Sequence, residues 1–265
     1  MSDQIVQPNP LLDRLQLPGE TFRLPSQGLF YHNGELSEDT TNGEVHVFPM
    51  TTIDELMFRT PDLLYSGKAI DTVFGRCIPQ VKKPQELLIK DVDYLLTCLR
   101  LITYGPTMAV TYTHTCADAK EQTYDIKLQP LVKQARAIDP TTIASSYSVK
   151  LGNGQTVKIR PTLFKTALEL SQTTDFTDKV PSFDEVKKSL LTVIADTIDN
   201  IDDINDRKMI AEWIDKAPAG YIREIVGVIE KTGEWGVDFN VKEVCKDCEG
   251  EIEVSIGTNP IMLFS

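Results

Sequence analysis

The chain has 265 residues, 41% of them apolar and 25% charged, with a formal net charge of −12. This balance is that of a folded globular protein, with length for one large domain or two modest ones. The acidic sign disfavours general binding to a phosphate backbone, and no apolar run reaches the ~20 residues that cross a bilayer. Met1-Ser2-Asp3-Gln4 lacks both a positive stretch and an apolar one, so synthesis and folding in the cytoplasm are expected.

Taken in chain order, residues 1–23 carry Pro8, Pro10, Pro18 and Gly19 with little periodicity, and are expected to form an extended arm. Residues 24–31 are punctuated by Pro25 and Gly28 and read as turns leading into a short strand. A loop over 33–43 and a strand over 44–48 follow. Thr51 and Thr52 before Asp54-Glu55 place a helix over about 52–58, because a carboxylate in the first turn suits the helix dipole. Pro61 and Gly67 start two more helices. Val92, Leu95, Leu96, Leu99 and Ile102 recur at helical spacing over 90–104, and Gly105-Pro106 ends that run.

Strands are predicted over 108–112 and 122–128, enclosing His114-Thr115-Cys116. A hairpin over 147–151 and 156–160 turns at Gly152-Asn153-Gly154. Helices are then predicted over 161–173, 183–202, 205–216 and 218–231. The acidic run from Asp199 to Asp206 lacks the Gly and terminal Glu of a calcium loop, and reads as one helix end and the next helix's cap. Strands over 237–244 and 251–256 flank Cys245-Lys246-Asp247-Cys248, before an apolar end at Ile261-Met262-Leu263-Phe264. That end is expected to tuck onto its own domain.

The order makes an α+β protein: a β-containing N-terminal region, a helical middle and a C-terminal β-hairpin with a zinc-knuckle-like turn. The expected divisions are an arm over 1–23, an α+β region over 24–128, a hairpin and helical region over 129–234, and the hairpin over 235–265 packed on 108–128.

The five cysteines are Cys77, Cys98, Cys116, Cys245 and Cys248. An odd count in a cytoplasmic chain argues against a disulfide framework. Cys77 and Cys98 sit on apolar helical faces and are expected in the core. Cys-x-x-Cys between two short strands is zinc-knuckle geometry, and zinc takes four ligands. His114 and Cys116, in the other hairpin, are the candidates for the second pair, which makes the candidate ligand set His114, Cys116, Cys245 and Cys248 around one structural Zn2+. The alternative is a turn with free thiols. A redox motif fits less well: such motifs open a helix, and Glu243, Asp247 and Glu249 are expected to raise the thiol pKa. His32 and His46 read as surface or strand residues. No phosphate loop and no Gly-x-Ser-x-Gly elbow is present, so no catalytic residue is assigned and the chain is expected not to be an enzyme.

Four blocks carry a resemblance: Leu24-Pro25-Ser26-Gln27-Gly28-Leu29-Phe30-Tyr31, Gly43-Glu44-Val45, Pro49-Met50-Thr51-Thr52-Ile53-Asp54-Glu55, and Ser66-Gly67-Lys68-Ala69-Ile70-Asp71. In order and spacing they resemble the baseplate hub-assembly protein family of T-even-type contractile-tailed phages. The similarity runs over about 24–128 and returns at 235–265; between them it is weaker, and the helical pattern alone carries the reading. Members of that family often carry two Cys-x-x-Cys knuckles, but here Ala119 stands where the second thiol after Cys116 falls. The resemblance implies a structural or assembly component of the tail baseplate, acting by protein–protein contacts in the host cytoplasm and then in the virion tail. It implies hub, tail-tube and tape-measure proteins as partners, and no small-molecule substrate, nucleic acid or membrane. The alternatives are a transient tail-assembly chaperone and a zinc-ribbon nucleic-acid-binding cofactor. The charge of −12 and the scarcity of Lys and Arg with interleaved aromatics near Cys245 stand against the last.

Overall fold

A strand already forms inside the stretch read as an arm: β1, Glu20–Arg23, pairs antiparallel with β2, Glu44–Val47, with Phe22 opposite Val45. The computed structural model describes residues 18–116, 121–173, 191–257 and 260–264, so the arm assigned to residues 1–17 lies outside the described residues. Phe22 and Val45 both point into a core, and that burial outweighs the weak local pattern.

Residues 25–30 form consecutive turns and do not lead into a strand. Gln27 and Gly28 take left-handed backbone angles (φ +55° and +77°), which break an extended run. Gly43, itself left-handed at +70°, lies so close that a Cβ there would come within 2.7 Å of the Gln27 carbonyl carbon.

The helices follow as expected: α1, Thr52–Phe58; α2, Pro61–Tyr65; α3, Lys68–Cys77; and α4, Ile89–Tyr104. The Thr51 N–H and hydroxyl both donate to the Asp54 carboxylate at 2.9 and 2.6 Å, which fixes the start of α1. α4 is the axis of the main core, with Leu95, Cys98 and Leu99 fully buried.

β3, Thr107–Thr113, and β4, Glu121–Lys127, pair antiparallel and turn Met108, Tyr124 and Ile126 onto that core. Ile252 and Val254 of the C-terminal hairpin enter the same core, from the pair β8, Asn240–Val244, and β9, Glu251–Ser255. The chain end tucks in as expected, but only by half. Leu263 and Phe264 are buried while Ile261 and Met262 are exposed. Phe264 stacks on Phe58 at 4.8 Å, and Arg59 donates to its carbonyl at 3.2 Å.

A second core is built on β5, Ser148–Lys150, β6, Thr156–Ile159, and β7, Ile198–Ile201, in that order. The helix expected over 183–202 is corrected here: residues 191–197 are helical, 198–201 are a strand, and 183–190 lie outside the described residues. The open edge of β6 offers a hydrogen-bonding ladder, and pairing Ile201 with Val157 buries both. That tertiary gain overrides the helical spacing. The other helices around this core are α8, Arg207–Lys216, and α9, Ala219–Lys231, whereas α7, Phe164–Thr173, sets Phe164 against the main core. Asp206 caps α8 as expected, accepting from the N–H groups of Lys208 and Met209. Four short elements besides β1 escaped the sequence pattern: a 3-10 turn at Pro84–Glu86, α5 at Leu128–Lys133, α6 at Ile143–Ser146 and α10 at Pro260–Leu263.

Leu88, Ile138, Tyr147, Leu163 and Trp235 form a third, smaller cluster beside the two cores. Lys90 reinforces it by donating to the carbonyls of Trp235, at 2.9 Å, and Gly233. The architecture is α+β, as read from the sequence.

Candidate metal centre

Cys245-Lys246-Asp247-Cys248 forms the turn between β8 and β9. The Cys245 N–H donates to the Gly250 carbonyl and the Glu249 N–H to the Cys245 carbonyl, both at 2.9 Å. Glu249 closes this loop in the left-handed region (φ +56°). The tight turn aims the backbone N–H groups of Cys248 and Asp247 at the Cys245 sulfur. Those donors stabilise a thiolate and bring the Cys245 pKa down to about 6, with smaller help from His114 and the Cys248 side chain. The expectation that acidic neighbours would raise the thiol pKa is therefore corrected at Cys245. The oriented amides of the turn set the direction of the shift.

Contacts with β4 hold the knuckle in place. The Gln122 carboxamide oxygen accepts from the Lys246 N–H at 3.0 Å, and its nitrogen donates to the Asp247 carboxylate. The Lys246 ammonium donates to the Thr123 carbonyl at 2.6 Å and lies 5.2 Å from the centre of the Tyr124 ring. Gln122 and Lys246 were not legible in this role from sequence, since neither residue type marks a metal site.

This docking brings His114 and Cys116, just past β3, to the knuckle. The ligand atoms of His114, Cys116, Cys245 and Cys248 all lie within 4.8 Å of one another, and the cluster can hold a metal ion. Cys248 Sγ is 3.5 Å from His114 Nδ1. A tetrahedral zinc with bonds of ~2.3 Å to sulfur and ~2.0 Å to nitrogen sets that edge at ~3.5 Å. Three cysteines and a histidine are also the soft donor set that suits zinc. Cys245 is buried, His114 and Cys116 are half-buried, and Cys248 is exposed at the lip. Ala119, at the position of the missing thiol, lies outside the described residues.

The other candidate residues stay apart from this cluster. Burial pushes the Cys77 thiol up to about 12 and Cys98 well above its ordinary value, which makes both inert core groups. His46 sits in β2 beside the Thr21 hydroxyl at 3.1 Å, and His32 is exposed.

A family model described as "T4 bacteriophage base plate protein" matches residues 41–259. The matched stretch holds all four residues of the cluster and runs through 129–234, where the resemblance of individual blocks is weak. It begins after the block at 24–31. No curated protein and no solved structure gives a match.

Proposed function

The chain belongs to the T4 bacteriophage base plate protein family, and from that premise we propose that it is a structural or assembly component of the baseplate hub of a contractile tail. The match over residues 41–259 carries this reading. The protein works by protein–protein contacts with hub, tail-tube and tape-measure proteins. It is made in the host cytoplasm and takes its place in the virion tail. Membership in a structural family supports a role without catalysis.

In this reading His114, Cys116, Cys245 and Cys248 hold one structural zinc. Bound there, zinc would supply four bonds joining two hairpins that the backbone does not pair. The protein's own groups prepare the site: backbone amides hold the Cys245 thiolate, and Gln122 and Lys246 fix the knuckle on β4. The clamp thus closes the 235–265 hairpin onto 108–128. The apolar clusters support a division of the chain in which 24–128 and 235–265 make one unit and most of 129–234 makes another.

The lysines around the knuckle weigh against the nucleic-acid reading. Lys246 is engaged on β4, and Lys242 pairs with Glu251 at 2.7 Å. Deleting the coding sequence from the phage is expected to stop baseplate formation. Normal tails in the deletion would overturn the proposal.

A further inference from the structure

A cleft of about 550 Å³ opens between the turn at residues 25–33 and the β5–β6–β7 sheet. Phe30, Tyr147 and Leu163 give it an apolar wall, with Phe30 edge-on to Tyr147 at 5.1 Å. Charged groups make up much of the remainder, and most of them are already matched. Asp196 takes the Arg160 guanidinium at 3.0 Å and the Thr166 hydroxyl. Arg207 donates to the carbonyls of Ala195 and Ile198, and Asp199 faces it. Glu35 accepts the Asn33 N–H at 2.7 Å, and Glu86 lies 3.7 Å from Lys83.

Two cations are left over. Lys158, on β6, and Lys165, on α7, line the cleft, and their ammonium groups make no hydrogen bond or ion pair among the described residues. Lys165 is half-buried, so its ammonium gives up part of its hydration without a carboxylate in return. Four cations and four carboxylates line the cleft, so on a chain of net charge −12 its wall is balanced, and the two ammonium groups without a carboxylate partner lie on the same lining as Phe30 and Tyr147.

We propose that this cleft receives an acidic peptide segment of another baseplate protein, with carboxylates on Lys158 and Lys165 and an aromatic or aliphatic side chain against Phe30, Tyr147 and Leu163. Naming the occupant a baseplate protein rests on the family reading; the chemistry of the cleft does not. A peptide fits better than a nucleic acid. Glu86, Asp196 and Asp199 interrupt the lining, which leaves no continuous cationic track for a phosphate backbone. A peptide can set carboxylates only where the lysines are. Residues 25–33 and the β5–β7 sheet supply opposite walls, so an occupant would also fix one against the other.

The test uses the full chain and a fluorescein-labelled random glutamate–tyrosine copolymer, followed by anisotropy. Wild type is expected to bind it in a salt-sensitive way. Lys158→Glu/Lys165→Glu is expected to bind at least about tenfold more weakly, since reversing two facing charges turns attraction into repulsion. Lys150→Glu/Lys208→Glu makes the same change in net charge outside the cleft and is expected to bind like wild type. If the first variant fails to fold by circular dichroism, Lys158→Gln/Lys165→Gln serves in its place, with a loss of about threefold expected.

Three results would each overturn the proposal: no binding by wild type, equal weakening in the two charge-reversed variants, or equally tight binding of a lysine–tyrosine copolymer. A glutamate homopolymer bound as tightly as the copolymer would remove the apolar half of the site. These readouts come from the isolated chain, so their failure leaves the baseplate reading standing. Failure of the deletion test likewise leaves the cleft's chemistry standing.

Discussion

Asp91 offers a quantitative test of how the resembling block at 24–31 is held. Its carboxylate is fully buried near the start of α4. It accepts the Ser26 N–H at 3.1 Å and the Tyr31 hydroxyl at 2.6 Å, and that hydroxyl in turn accepts the Leu88 N–H at 2.9 Å. Burial raises the Asp91 pKa from 3.8 to about 6, against the pull of those donors. A gap of about two pH units corresponds to roughly 3 kcal/mol.

The sign follows from proton counting. Between about pH 4 and 6 the folded chain holds the Asp91 proton and the unfolded chain does not, so this group's contribution to stability falls as pH rises through that window. It is level above and below. Asp91→Asn removes the titration and keeps the shape. The wild-type-minus-variant difference in unfolding free energy, from urea titrations at steps between pH 4 and 7, is therefore expected to change by roughly 3 kcal/mol, with wild type relatively more stable at the acid end. Subtraction removes other titrating groups such as Asp93, which burial raises to about 7. A difference that stays flat over this range would refute the buried ionised latch.

Further expectations concern the clamp and the chain end. Protein purified without chelator is expected to carry about one zinc per chain by elemental analysis, and chelation should lower its melting temperature, because metal affinity at such a site is folding free energy. Cys245→Ser should abolish both the zinc and the chelator response, whereas Cys98→Ser should keep the zinc; zinc-free wild type would contradict the clamp. Phe264→Ala removes a buried ring stacked on Phe58, so a loss of about 3–5 kcal/mol in denaturant unfolding is expected. A loss under about 1 kcal/mol would mean that the tail does not pack in solution.

Where local pattern and tertiary burial agree, the sequence was readable. The stripe from Val92 to Leu99 gave α4, and the turn residues around Cys245 gave the C-terminal hairpin. The pairing of His114 and Cys116 with the knuckle was legible because zinc chemistry asks for four donors and few others were on offer. What stayed hidden depended on long-range partners. Ile198–Ile201 carries helical spacing, yet it pairs on the exposed edge of β6. The turns over residues 25–30 are anchored by a carboxylate 65 residues after Ser26, which accepts the Ser26 N–H. The lowered pKa of Cys245 comes from the direction of two backbone N–H groups, which composition does not encode.

The hub assignment is tested most directly by quantitative mass spectrometry of purified tails and of baseplate assembly intermediates. A structural component of the hub is expected in both, at one fixed ratio to the tail-tube protein. Presence in the intermediates alone would mark a transient assembly chaperone instead. Absence from both would contradict the account.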